Sequence, residues 1–192
     1  FNLMDLTNPN QDPGTATLIV TCVGTMEKES FDYLVEHLDR GGSCLFFPTI
    51  PVFTTKGDVD TRLRDRVGAT VTEQIRPAGG KTFDYGARTV DLENGESLTE
   101  TSWIHAHDFT TSDNVFATFD CKPVVGKNGN TIVSGVDARF TTNQSLKFWR
   151  AMFKSLMDDD PAVKVSKDEC YATLLGTAEA GLLTVIDITG EC

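Results

Sequence analysis

No stretch of this sequence approaches the roughly 20 consecutive apolar residues that a bilayer-spanning helix needs. Its five cysteines, Cys22, Cys44, Cys121, Cys170 and Cys192, are scattered and odd in number, and none forms Cys-x-x-Cys. That pattern disfavours structural zinc and fits free thiols in a reducing, cytoplasmic compartment. Basic residues are outnumbered: 17 Lys and Arg face 28 Asp and Glu, a net charge of −11. The expected partners therefore include neither a nucleic-acid backbone nor an anionic membrane, both of which require a basic face. The opening residues, FNLMDLTNPNQDPGT, lack a basic stretch followed by an apolar one and do not read as a signal peptide. The paired glycines Gly41-Gly42 and Gly79-Gly80 belong to no G-x-G-x-x-G and no G-K-[ST], so no phosphate loop is expected.

The 192 residues, 40% of them hydrophobic, suffice for one domain with a real core, or one domain plus a small appendage. The run TLIVTCVG at Thr17–Gly24 predicts a parallel strand buried on both faces. Phe31, Leu34, Val35 and Leu38 recur at helical spacing, and Gly41-Gly42 stops the helix, one of them in the left-handed conformation. SCLFFP at Ser43–Pro48 predicts a second buried strand, closed by Pro48 and Pro51. Together these make a β-α-β unit. A short helix over DVDTRLRDRVG follows, with Asp58 or Asp60 as its cap and Gly68 as its end.

After Gly68 the pattern turns to strands, at Ala69–Arg76, Arg88–Thr99, Ser102–Phe109 and Val115–Asp120, then KPVVG and TIVSGVDARF. Asn94-Gly95 and Asn128-Gly129 predict tight hairpins. A long helix then begins at a capping box of Thr141 and Gln144 and carries Leu146, Trp149, Phe153, Leu156 and Met157 on its apolar side. Asp158–Pro161 reads as an exposed linker, and three strand-like runs, the last two joined by AEAG, close the sequence.

Reactive side chains are few. Cys22 reads as an interior strand position and Cys44 as a strand start, and neither sits on a glycine-flanked elbow. No His-x-Glu pair accompanies them, so the cysteine–histidine–glutamate constellation of amidotransferases is missing. His105 and His107 in HAHD project from one strand face and could bind zinc or copper if a third ligand arrived; otherwise they are solvent-facing strand residues. Trp103 and Trp149 could stack on a sugar, although core or interface packing suits them better. Paired carboxylates for glycoside hydrolysis cannot be matched from sequence, and an eight-fold β/α barrel needs more residues in a different order.

The stretch LIVTCVGTMEKESFDYLVEHLDRGGSCLFFPTIP, through Met26, Glu27, Leu34, Val35, Gly41, Gly42, Leu45, Pro48 and Pro51, resembles the middle, glutamine-amidotransferase-like domain of multidomain β-galactosidases of glycoside hydrolase families 35 and 42. The resemblance implies an α/β, flavodoxin-like fold: a mostly parallel sheet with helices on both faces, a β-rich insertion and a C-terminal β-hairpin extension. It implies one domain over residues 1–160, the insertion at about 70–125, and a β segment over 161–192. It also implies a non-catalytic part that packs on a catalytic barrel of the same parent chain and supports a homo-oligomer. No catalytic, cofactor-binding or metal residue carries over. A carbohydrate-binding module and a small cysteine hydrolase are the competing readings.

Overall fold

The computed structural model of the chain describes residues 14, 17–22, 24–76, 88–100, 102–110, 114–137, 143–156, 170–176 and 181–187. Two compact units divide at Leu156 and Met157. The first contains β1 (Thr17–Cys22), β2 (Thr25–Met26), α1 (Lys28–Asp39), β3 (Ser43–Pro48), β4 (Phe53–Thr54), α2 (Arg62–Val67) and β5 (Ala69–Ile75). It continues with β6 (Arg88–Leu92), β7 (Ser97–Glu100), β8 (Ile104–Phe109), β9 (Asn114–Phe119), β10 (Lys122–Asn128), β11 (Thr131–Ser134) and α3 (Asn143–Leu156). The second is the antiparallel hairpin of β12 (Cys170–Gly176) and β13 (Gly181–Asp187), in which Leu174 faces Leu183 across the ladder.

The main sheet has seven strands in the order β1-β3-β11-β10-β9-β6-β7. Only β1, β3 and β11 run parallel; every pairing from β10 onward is antiparallel. This overturns the flavodoxin-like expectation of a mostly parallel sheet with helices on both faces. The described residues hold three helices, and most of the sheet is built from hairpins. The cause is connection length. A parallel pair needs a crossover of a dozen or more residues, whereas turns such as Asn94-Gly95 and Asn128-Gly129 leave room only for an immediate return. Gly95 and Gly129 both take positive φ, 82° and 55°, as such turns require.

The β1-α1-β3 unit forms as the sequence predicts, with β1 and β3 parallel. The predicted placement of β1 does not hold. It is an edge strand with Ile19 37% exposed, while β3 takes the central position between β1 and β11. An apolar run shows that a strand is wanted, but not how many neighbours it will have. On β3, alternation sends Cys44 and Phe46 to a core shared with Phe31, Leu34 and Leu38 of α1, and Leu45 to a second core shared with Trp149 and Met152 of α3. Burying each of the large α1 side chains contributes about 1.5–3 kcal/mol. The short helix α2 is capped by Thr61, not by Asp58 or Asp60, although Asp60 Oδ1 still accepts the Arg62 N–H at 3.2 Å. Gly68 ends it in the left-handed conformation.

Helix α1 closes in a Schellman turn: Gly42 N–H donates to the His37 carbonyl at 2.9 Å and Gly41 N–H to the Leu38 carbonyl at 3.1 Å, with Gly41 at φ 88°. The second glycine has a separate reason. The fully buried His37 ring lies directly over Gly42, and a Cβ there would overlap it. Gly42→Ala is therefore expected to destabilise the fold by about 1–3 kcal/mol by overpacking, measurable as a lower urea midpoint at unchanged m-value.

The opening residues 1–13, Gly79-Gly80, the capping residue Thr141, the linker 158–161 and the strand-like run at 162–166 lie outside the described residues. No helix among the described residues is long and apolar enough to cross a membrane.

Candidate functional site

Strands β1 and β3 end in register, Cys22 opposite Pro48. Beyond them the chain turns through Gly24 on one side and Thr49-Ile50 on the other, and both turns line a cleft of about 410 Å³. A crevice at the carboxyl ends of parallel strands is where α/β sheets commonly receive ligands, and the volume lies in the usual range for small molecules. The opposite wall is the antiparallel ribbon of β5 and β8, with Arg64 of α2 at its side.

Strand β8 carries the chemistry of this cleft. Alternation places Ile104 and Ala106 in the core beneath α3 and turns His105 and His107 into the cleft. Neither imidazole is solvent-facing, as an exposed strand pair would be: His105 is 9% exposed and His107 2%. They are covered because β8 is docked at Gly135, which accepts from His105 N–H at 2.8 Å and donates to the Val124 carbonyl at 2.6 Å. A Cβ on Gly135 would overlap the His105 carbonyl, so only glycine permits this approach. Across the ribbon, β5 has a bulge between Val71 and Glu73. The extra residue lets Val71 and Gln74, three apart, stand opposite His107 and His105, two apart, and all four line the cleft.

Burial lowers the pKa of both imidazoles. His107 falls to about 4, chiefly through loss of hydration and secondarily through the neighbouring His105; His105 falls for the first reason. Both are neutral at pH 7, each offering one N–H donor and one lone pair. Nδ1 of His105 and both ring nitrogens of His107 are buried and make no close hydrogen bond, and the His105 backbone beside His107 offsets only part of the effect of burial. Arg64 brings little free charge, because its Nε and Nη2 both donate to Asp65 Oδ1, at 3.0 and 2.8 Å.

The other sequence candidates fall elsewhere. Cys22 is the last residue of β1, a strand end and not an interior position. Cys44 is buried near the start of β3, and desolvation pushes its thiol up to about 12, which leaves it protonated and inert. Cys121 is exposed in the β9–β10 turn. Trp149 is 2% exposed inside the core, so it cannot stack on a sugar; Trp103 is exposed, with the Arg76 guanidinium 5.7 Å from its ring centre. Among the described residues no group of three His, Cys, Asp or Glu is placed to hold a metal. The buried carboxylate among them, Glu100, accepts the Ser102 N–H and hydroxyl, both at 2.7 Å, and lies away from the cleft. Arg64, Thr49, Val71 and Gln74 are cleft residues that motif reading missed. Pro48 at a strand end was the available signal for Thr49; the bulge that aims Gln74 has none.

The fold has solved counterparts. Gan42B, a GH42 beta-galactosidase from G. stearothermophilus, superposes with a TM-score of 0.67 at 14% identity, over 90% of this chain and 26% of its own. The beta-galactosidase from Rahnella sp. R3 gives 0.63 at 12% identity, over 82% and 25%. That from Bacillus circulans sp. alkalophilus gives 0.60 at 14%, over 90% and 27%. The chain thus spans about a quarter of the length of these structures. No protein-family model matches the chain, and no curated protein matches it.

Proposed function

We propose that the chain is the non-catalytic middle domain of a β-galactosidase-like glycoside hydrolase. The observation that carries this reading is the asymmetry of the structural match: nine-tenths of this chain aligns with only a quarter of a GH42 enzyme. The chemistry of the cleft supports it. Glycoside hydrolysis uses a pair of carboxylates flanking the scissile bond, and the described residues lining this cleft include neither an acid nor a thiol. In this reading the domain packs against a catalytic barrel of the same parent chain and helps its copies associate. The free thiols of Cys44 and Cys121 support a reducing, cytoplasmic setting.

The reading frame around this sequence in its source genome tests the proposal. The expected result is an upstream β/α barrel with two carboxylates at strand ends. A frame that encodes this chain alone would refute the domain assignment.

A further inference from the structure

Strand β1 forms one edge of the seven-stranded sheet, and among the described residues no strand pairs with its outer side. An edge strand presents unpaired N–H and C=O groups, and proteins ordinarily blunt it with charge, proline, a bulge or shortness. The far edge is blunted in this way: β7 has four residues and ends at Glu100, a carboxylate only 1% exposed. β1 has none of these devices. Its six residues pair with β3 in unbroken register, from Thr17 opposite Ser43 to Cys22 opposite Pro48. Although 23% of the chain is charged, TLIVTC contains no charged residue and no proline, and its threonine, isoleucine and valine favour extended backbone. Leu18 and Val20 pack into the core beneath α1, while on the other face Ile19 is 37% exposed and Thr21 is exposed.

We propose that the chain self-associates as a two-fold dimer, by antiparallel pairing of β1 with β1 of a second copy, centred on Ile19. The strand is self-complementary in that register. A two-fold axis normal to the sheet at Ile19 sets Ile19 against Ile19, Leu18 against Val20 and Thr17 against Thr21. Apolar meets apolar, hydroxyl meets hydroxyl, and the core beneath α1 continues across the axis through Leu18 and Val20. Charge selects the same surface. Two copies with a net charge of −11 repel each other, and an uncharged edge lets their backbones meet without opposing carboxylates. A six-residue edge is a small interface, so the dissociation constant is expected at about 10–100 μM. The inference rests on the proposed function only in its statement that copies associate, and it names the surface by which they do so.

The test is sedimentation of the full 192-residue chain under reducing conditions, over concentrations that span that constant. A monomer–dimer equilibrium is expected. Ile19→Lys sets like charges face to face across the axis and should weaken the dimer about tenfold or more, with unchanged far-ultraviolet circular dichroism. Ile19→Cys should give a disulfide-linked dimer on mild oxidation, because the two Cβ atoms stand opposite each other. Thr21→Cys, whose partner across the axis is Thr17, should crosslink no more than the unaltered chain. This pair of variants keeps the test decisive even if Ile19→Lys folds poorly. A monomer at every concentration, a trimer or open polymer, equal association of Ile19→Lys, or preferential crosslinking of Thr21→Cys would each overturn the proposal. So would a chain that dimerises only after removal of residues 1–13, since its own opening residues would then be what covers β1. None of these outcomes bears on the domain assignment, which the surrounding reading frame decides.

Discussion

Trp149→Ala is expected to destabilise the chain by about 3–5 kcal/mol, the usual cost of truncating a large buried aromatic. Trp149 packs against Phe47 of β3 at 5.2 Å between ring centres, and against Phe148 and Phe153 of its own helix at 5.4 and 6.2 Å. It therefore holds α3 onto the central strand of the sheet. Removing the ring leaves a cavity where Leu45, Ile132 and Met152 also meet. Small domains have only about 5–15 kcal/mol of net stability, so this loss lowers the urea midpoint severely. A loss below about 1 kcal/mol would mean that Trp149 is not the centre of this core. The same substitution separates core from ligand roles, because a residue 2% exposed offers no face to a sugar.

The second large effect is acid lability set by His107. In the folded chain its pKa is about 4, while in the unfolded chain it returns to about 6.5. Between those values the unfolded state binds a proton that the folded state refuses, so stability falls as the pH drops from about 6.5 toward 4. Above that window the contribution is complete, and below it no further loss arises from this residue. The difference amounts to about 3 kcal/mol. His105 adds to the slope in the same direction. The charged or titratable groups facing them across the cleft, Arg64 included, supply no acid that would stabilise an imidazolium. Urea unfolding at pH 7.5 and pH 4.5 measures this. His107→Gln, which cannot titrate, should lose markedly less stability over that interval than the unaltered chain. Equal losses in both proteins would show that His107 is not the group responsible.

Local signals in the sequence were dependable where one face or one turn decides the structure. SCLFFP gave a central strand because Cys44, Leu45 and Phe46 are all wanted inside, on alternating sides. Phe31, Leu34 and Leu38 gave α1, Gly41 gave its end, and the two Asn-Gly pairs gave their hairpins. What the sequence did not disclose depends on longer range. TLIVTC looks like a central strand but lies at the edge. In α3 the apolar residues cover more than half the circumference, so the stripe centred on Leu146, Trp149 and Phe153 could rotate. The sheet buries Trp149 and Leu156 of that side together with Phe148 and Met152, and leaves Leu146 and Phe153 half-buried. The β9–β10 turn uses Asp120 and Cys121 at positive φ, 50° and 61°, where glycine or asparagine would have announced it. The motif that carried the resemblance to a flavodoxin-like domain lies in the β1-α1-β3 stretch, and that unit is equally compatible with the antiparallel strands that follow.

The cleft was partly legible. The shared direction of His105 and His107 follows from strand alternation. Their burial does not, because it depends on Gly135 admitting the His105 carbonyl and on a bulge in β5. Both are encounters between segments distant in sequence.

The proposed function makes this chain a supporting part of a larger glycoside hydrolase that does not itself break glycosidic bonds. Hydrolysis of a nitrophenyl β-galactoside by the purified 192-residue chain tests it most directly. The account predicts no turnover above the buffer rate, whatever the pH between 5 and 8. Sustained turnover that co-purifies with the chain and disappears in His107→Gln would contradict it.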